Sequence, residues 1–167
     1  MNKRTICLVL TLVCALTMLA QHYNIVKNIA YTMKTDTYSA QRLKLDIYYQ
    51  EQATDLPVVV WFHGGGLTSG EKDFPYKLKE KNCVLVAVNY RLLPNVTIDQ
   101  TIDDAAEAVA WVMNHITEYG GSTKKMIVSG HSAGGYLTMM LALNKQWLDR
   151  YGKDANQIAA YVPFSGQ

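Results

Sequence analysis

Hydrophobic residues along the chain follow two patterns that alternate. Continuous apolar runs are typical of strands that are buried on both faces of a parallel sheet. Four such runs occur, at residues 57–62, 84–90, 126–128 and 158–164. From Ile102 to Ile116 apolar residues instead recur at helical spacing, which predicts an amphipathic helix that stops near Gly120. A later segment that is apolar all round, up to about Leu143, predicts a second and more deeply buried helix.

The stretch from Leu43 to Tyr49 has a different pattern. Apolar and polar residues alternate there, which predicts a strand that is covered on one face only. We expect this strand to form a hairpin with the stretch near residues 29–34, and Asp46 to point outward as a solvated acid without a catalytic role. Residues 71–82 are polar enough to predict a short helix with a loop.

Strands that alternate with helices predict an α/β fold with a mostly parallel sheet and helices on both faces. The chain has 167 residues, of which 49% are hydrophobic and 18% are charged, as in an ordinary globular domain. This length predicts one domain, and the sequence contains no internal repeat or low-complexity segment.

The N-terminus differs from the predicted domain. Lys3 and Arg4 precede an uncharged apolar run from Ile6 to Ala20, and polar residues follow. This layout is typical of a secretory signal peptide, and the run is shorter than the roughly 20 apolar residues of a transmembrane helix. We therefore interpret residues 1–20 as a signal peptide and residues 21–167 as the domain. The expected product is exported, periplasmic or secreted, with no membrane span after cleavage.

Composition argues against several classes of partner. The formal net charge is +2, and the lysines of the predicted domain alternate with acidic and apolar residues, so no basic face for nucleic acid is predicted. Of three cysteines only Cys83 lies outside the predicted signal peptide, which leaves none to form a disulfide with it. Neither an HExxH motif nor paired cysteines are present, and we predict no metal and no cofactor.

One short motif follows the third apolar run and opens the all-apolar helix. It reads Gly130-His131-Ser132-Ala133-Gly134-Gly135, which fits the pattern G-x-S-x-G of a nucleophile elbow. In this turn between strand and helix a strained backbone exposes a serine oxygen, so Ser132 is the candidate nucleophile. Gly130, Gly134 and Gly135 leave room where strand and helix come close together.

A second motif, His63-Gly64-Gly65-Gly66, follows the first buried strand. Such a motif supplies backbone N–H groups that bind the oxyanion of a tetrahedral intermediate, together with the N–H of the residue after the nucleophile. The predicted oxyanion hole therefore consists of the amides of Gly65, Gly66 and Ala133. A phosphate-binding P-loop is excluded because Glu71 stands where the lysine is required, and the G-x-G-x-x-G spacing is absent.

Four segments carry a resemblance to a known family. They are the loop 63–66, the segment 89–92 (Asn-Tyr-Arg-Leu) with Pro94, the helix through Asp104-Ala105 and Ala108, and the elbow 130–135. Together they resemble the α/β-hydrolase esterases and lipases of the hormone-sensitive-lipase-like group, over roughly residues 43–167. The resemblance implies an α/β-hydrolase fold and a serine carboxylic-ester hydrolase for small-molecule esters, in which His63 braces the oxyanion loop by hydrogen bonds. Ser122 departs from it, since the family usually carries an aspartate there.

The mechanism also needs a general base and an acid, which in this fold follow the nucleophile in the order Ser, Asp or Glu, His. No histidine follows Ser132. The acids Asp149 and Asp154 precede the last predicted strand, whereas the family places its acid beyond that strand. His131 adjoins the serine, but neighbouring side chains diverge at a tight turn. The catalytic acid and base therefore stay unidentified, and we expect an N-terminal part of a longer hydrolase domain, without its last strands and inactive by itself.

Three alternatives stay open at this point. The first is an amide hydrolase or peptidase, because these share the elbow. The second is a non-catalytic hydrolase fold used for binding, and the third is a degraded gene product; the intact Ser132 and glycine loop argue against long drift. Short acyl esters are the predicted substrates, while the acyl and alcohol groups and the oligomeric state are not predicted.

Overall fold

The computed structural model describes residues 22–166, which form a six-stranded sheet with the strand order β1-β2-β4-β3-β5-β6. The strands are β1 (Tyr23–Ala30), β2 (Lys44–Gln50), β3 (Leu56–Phe62), β4 (Val84–Val88), β5 (Gly121–His131) and β6 (Ala160–Phe164). The α-helices are α1 (Thr37–Arg42), α2 (Ile98–His115), α3 (Ala133–Leu143) and α4 (Gln146–Asp149). The predicted signal peptide, residues 1–20, lies outside the described residues.

The sheet is mixed but mostly parallel. β3 pairs in parallel with β4 on one side and with β5 on the other, and β6 pairs in parallel with β5. β1 and β2 extend the sheet beyond β4 with antiparallel pairings. The predicted mostly parallel α/β sheet is thereby confirmed, and the carboxyl ends of β3 and β5, where both motifs begin, are adjacent.

The amphipathic helix α2 begins with a capping box. The Thr97 hydroxyl accepts a hydrogen bond from the Gln100 N–H, and the Gln100 side chain accepts one from the Thr97 N–H. These bonds satisfy two backbone donors that would otherwise lack partners. The helix continues into a 3₁₀ turn, Ile116–Tyr119, and ends at Gly120 with φ of 76°. The predicted end of this helix is confirmed.

The main core lies between one face of the sheet and the two long helices. It contains alternate residues of the central strands together with the buried side chains of α2 and α3, including Val60, Val86, Val109 and Leu137. On the opposite face a smaller cluster around Tyr48 and Leu85 is covered by Phe74 and Leu78. Within residues 22–166, α2 and α3 therefore pack on the same face of the sheet.

Residues 71–82 are mostly loop, and the predicted short helix is limited to three residues. They contain only a single 3₁₀ turn, Tyr76–Leu78. Glu80 and Asn82 have φ of 59° and 52°, which is incompatible with a continuing helix. The segment instead crosses the sheet so that Phe74 and Leu78 pack against it.

Strand β2 differs from its prediction in its burial. Residues 45–48 are all buried, so the strand is covered on both faces. Asp46 is therefore not a solvated acid: its carboxylate accepts a hydrogen bond from the Asn28 N–H at 2.7 Å and pairs with Lys72 at 3.1 Å. The predicted antiparallel partner is present, but it is β1, which ends at Ala30, and α1 separates it from β2.

The all-apolar helix α3 has the predicted length but is not buried all round. Its inner residues include Leu137 and Leu141, which are inaccessible, whereas Leu143 at its last turn is 82% exposed. In the part of the chain described here, no helix is long and apolar enough to cross a membrane.

Candidate active site

Ser132 occupies the turn between β5 and α3. Its backbone has φ of 53° and ψ of −116°, a conformation that L-amino acids rarely adopt. Hydrogen bonds on both sides hold this turn: the Ser132 N–H donates to the Phe164 carbonyl at 2.8 Å, and the Ser132 carbonyl accepts from the Tyr136 N–H at 2.9 Å. Strained residues of this kind persist where the surrounding structure fixes them, and they concentrate at functional sites. The geometry of a nucleophile elbow is present.

The glycines of the elbow are required by close backbone contacts. A Cβ at Gly130 would lie 2.5 Å from the Gly134 carbonyl carbon, and one at Gly134 would lie 2.0 Å from the Phe62 carbonyl oxygen. A Cβ at Gly135 would lie 2.7 Å from the Phe164 carbonyl oxygen. Helix α3 can therefore begin directly against the ends of β3 and β6, which places Ser132 beside the loop that follows β3.

This loop, residues 63–70, contains the second motif. A Cβ at Gly64 would lie 3.4 Å from the Ser132 Cβ, so the two motifs are in contact. Gly65 and Gly66 have φ of 116° and 61°, and the Gly65 carbonyl is turned into the loop, where it accepts hydrogen bonds from Thr68 and Ser69. In the described part of the chain the N–H groups of Gly65 and Gly66 donate no hydrogen bond.

A cleft of about 360 Å³ opens at Ser132. It is lined by Gly66, Leu67, Ile98, Ser132, Ala133, Tyr136 and Ser165. Ala133 is the first residue of α3, and the first N–H groups of a helix lack intrahelical acceptors and carry its positive dipole end. Gly66 and Ala133, two of the three predicted oxyanion residues, thus line the cleft together with Ser132. The third, Gly65, directly precedes Gly66. The cleft therefore brings Ser132 together with the apolar side chains of Leu67 and Ile98 and with the start of α3.

His63 is the first residue of loop 63–70, the oxyanion loop, and it is buried. Its Nδ1 lies 2.6 Å from the Gly64 carbonyl, and its ring stacks on Tyr90 with a centroid distance of 4.4 Å. The Tyr90 hydroxyl donates to the His63 carbonyl at 2.7 Å. Burial lowers the pKa of His63, so the imidazole is held neutral. These contacts match the bracing role that the resemblance implied.

No candidate base meets Ser132 in residues 22–166. His131 is exposed and lines a different, largely apolar cavity of about 560 Å³ with Trp61 and Phe164. His115 stacks on Trp111 at the end of α2. Of the two acids after the nucleophile, Asp154 accepts hydrogen bonds from Asn156 at 2.8 Å. Neither that acid nor Asp149 lines the cleft. Among these residues there is also no group of three or more His, Cys, Asp or Glu side chains that could hold a metal.

Two ion pairs near the site could not be predicted from the sequence. Arg91 and Asp104, which belong to segments of the resemblance, form a buried ion pair with N···O distances of 2.8 and 2.6 Å, tying β4's end to α2. Arg42 and Glu71 meet at the far end of the oxyanion loop. No local pattern marks the second pair, because its members lie 29 positions apart on separate segments.

Comparison with known proteins gives a consistent family. The family model described as BD-FAE matches residues 45–166. Probable carboxylic ester hydrolase LipM of Mycobacterium tuberculosis is 35% identical over 118 residues, which are 66% of this chain and 27% of that protein. Probable isoprenylcysteine alpha-carbonyl methylesterase ICMEL1 of Oryza sativa subsp. japonica is 30% identical over 135 residues, which are 75% of this chain and 32% of that protein.

Among solved structures, a tributyrin phosphonate-inhibited esterase B from Lactobacillus rhamnosis superposes with a TM-score of 0.66. The identity is 19%, and the match covers 91% of this chain and 54% of the esterase chain. At this identity the match shows the α/β-hydrolase fold. The chain spans about a third or less of the length of these two curated relatives.

Proposed function

Because the chain belongs to the BD-FAE family, we propose that its protein is a serine carboxylic-ester hydrolase for short acyl esters, with Ser132 as the nucleophile. The observation that carries the proposal is the contact between the strained Ser132 turn and the glycine loop at Gly64. The named relatives, an ester hydrolase and a methylesterase, support the same reaction class.

The reaction that this geometry supports is acyl transfer to water. The Ser132 oxygen attacks the ester carbonyl carbon, and its proton passes to a general base. The carbonyl oxygen becomes an oxyanion, which accepts hydrogen bonds from the N–H groups of Gly65, Gly66 and Ala133. Collapse of this intermediate expels the alcohol and leaves an acyl-serine, which water then hydrolyses to the free acid. Residues 22–166 supply the nucleophile and the oxyanion donors.

The proposal is tested by comparing the 167-residue chain with the product of the complete reading frame. Both are assayed with 4-nitrophenyl acetate and with a matched acetanilide. We expect ester turnover by the complete product that is lost in Ser132→Ala and retained in Ser122→Ala, a buried serine at the opposite end of β5. Slow turnover by the 167-residue chain is expected, because no base reaches Ser132 within residues 22–166.

Other outcomes separate the alternatives. Preferential, Ser132-dependent cleavage of the anilide would replace the esterase with an amide hydrolase. Ester turnover that persists in Ser132→Ala would assign the nucleophile to another residue. Absence of turnover from the complete product would remove the proposed chemistry and leave a non-catalytic use of the fold.

We also propose that the protein is exported. The support is the sequence layout of residues 1–20, with two basic residues before an uncharged apolar run. N-terminal sequencing of the mature protein from the producing cell should find a start at or near Gln21. A mature protein that retains Met1 or Asn2 would contradict this proposal.

A further inference from the structure

Gly70, the last residue of loop 63–70, and the two residues that follow it are bound to other segments of the fold. The Gly70 carbonyl accepts a hydrogen bond from Arg42 Nη2 at 3.1 Å. The Glu71 carboxylate pairs with Arg42 and accepts from Asn89 Nδ2 at 2.5 Å. The Lys72 N–H donates to Asn89 Oδ1 at 2.6 Å. The loop is therefore fixed at its carboxyl end by side chains from α1 and from the segment after β4.

Arg42 is the centre of these contacts. It is the last residue of α1 and is buried, and its Nε also donates to the Tyr90 carbonyl at 3.2 Å. A guanidinium presents several donors in a fixed plane, so one side chain can join a carboxylate and two carbonyls. Burial by itself would raise the pKa of Glu71, but the Asn89 hydrogen bond and the Arg42 charge outweigh it and lower that pKa. Glu71 is thus ionised at neutral pH.

A short series of contacts leads from Arg42 to the nucleophile. Gly70, whose carbonyl Arg42 holds, folds back on the start of the loop: a Cβ there would lie 2.4 Å from His63 Nδ1 and 2.5 Å from the Gly64 carbonyl oxygen. Gly64 in turn contacts Ser132. The two residues between Gly64 and Leu67 are the glycines whose N–H groups form the predicted oxyanion hole. Gly64, which precedes them along the loop, is thus held in place.

We propose that Arg42 and Glu71 are positioning residues for the reaction: they hold loop 63–70 in the conformation that directs the N–H groups of Gly65 and Gly66 at the oxyanion. This inference rests on the proposed esterase function. Oxyanion donors are effective because they are preorganised, and glycines at positive φ have little conformational preference of their own. Removing the Arg42–Glu71 pair should therefore weaken stabilisation of the transition state more than it weakens binding of the substrate.

The experiment uses the complete product carrying Arg42→Gln, Arg42→Lys, Glu71→Gln or Arg42→Gln with Glu71→Gln. Kinetic constants are measured with 4-nitrophenyl acetate, and Lys125→Gln, which breaks the exposed pair with Asp55, is the control. We expect kcat to fall about 10-fold to 100-fold in Arg42→Gln and Glu71→Gln with KM within about threefold, a smaller loss than the roughly 100-fold to 1000-fold for removing one oxyanion donor itself. Arg42→Lys should recover part of the loss, and the double variant should be little worse than either single one, as for residues that act as a unit.

Hydrogen exchange of a peptide spanning residues 64–72 provides a readout that does not require turnover. We expect faster exchange there in Arg42→Gln and Glu71→Gln, with unchanged exchange in α2. Glu71→Gln keeps the test meaningful if Arg42→Gln fails to fold, because the Glu71 side chain is 70% exposed. A lower Tm with unchanged kcat would make the pair merely structural and would overturn the inference. If the parent protein has no Ser132-dependent turnover, the proposed function fails, and unchanged exchange at residues 64–72 would then overturn the positioning role separately.

Discussion

The Cα of Gly134 lies against the carbonyl group of Phe62, so closely that a Cβ at Gly134 would be 2.0 Å from the Phe62 oxygen. This contact joins the first turn of α3 to the end of β3, and it sets the distance between the elbow and the oxyanion loop. The obstacle is backbone and cannot rotate away, so any side chain at residue 134 must push the helix from the sheet.

Gly134→Ala should therefore lower the free energy of unfolding by several kcal/mol, on the order of 3 or more, through overpacking against a fixed backbone. Gly152→Ala is the matched control: Gly152 has φ of 66° but nothing within 4 Å of an added Cβ. It should cost about 1 kcal/mol through backbone strain alone. Chemical denaturation of both variants measures the difference, and equal losses would contradict the role given to the Phe62 contact.

Backbone strain at Ser132 should be measurable as stability. Ser132→Gly relieves the φ of 53° and should raise the free energy of unfolding by about 1 kcal/mol relative to Ser132→Ala, which keeps the strain. Both variants lack the nucleophile, so the comparison isolates the conformation. Thermal or denaturant unfolding of the pair provides the value, and a less stable Ser132→Gly would show that the turn is not strained.

The Arg91–Asp104 pair should be far more important for stability than an exposed pair. The Asp104 side chain is inaccessible and also accepts from the Arg91 N–H at 3.2 Å. Asp104→Ala leaves a buried guanidinium without its partner and should cost about 3–5 kcal/mol. Lys125→Ala, at the exposed pair with Asp55, should leave Tm almost unchanged. Equal shifts in Tm for the two variants would contradict this assignment.

The stability of the fold should depend on His63 in mildly acidic solution. Burial lowers the pKa of His63 below its ordinary 6.5, so the unfolded chain binds the proton more tightly than the folded one. The free energy of unfolding should therefore decline as the pH falls below 6.5 and should recover above it. Denaturation between about pH 5 and about pH 8 tests this.

His63→Asn is the informative variant for that dependence, since an amide can still donate to the Gly64 carbonyl but does not titrate. Its unfolding free energy should vary less with pH over the same interval. An unaltered pH dependence would assign the effect to other groups.

Much of the fold could be predicted from the sequence, because its signals are local. The buried strands β3, β4 and β5 are visible as continuous apolar runs, and α2 is visible through its spacing and its end at Gly120. The two motifs are also local: the φ of 116° at residue 65, where a Cβ would lie 2.1 Å from the Ser69 carbonyl oxygen, and the close approach at residue 134 each require glycine at that position. Such constraints act on single residues, so they are visible in the sequence without knowledge of the contacts between distant segments.

Contacts between distant segments decided the rest. Alternation in β2 predicted one exposed face, but Phe74 and Leu78 cover that face, and Lys72 pairs with Asp46 there. The contacts that hold the oxyanion loop involve Arg42, Glu71 and Asn89. These three residues lie on separate segments and share no sequence pattern. The sequence by itself determined which residues form the elbow and the loop, through backbone sterics. Only the tertiary structure decided how they are held together, because burial and ion pairing depend on which segments the fold places side by side.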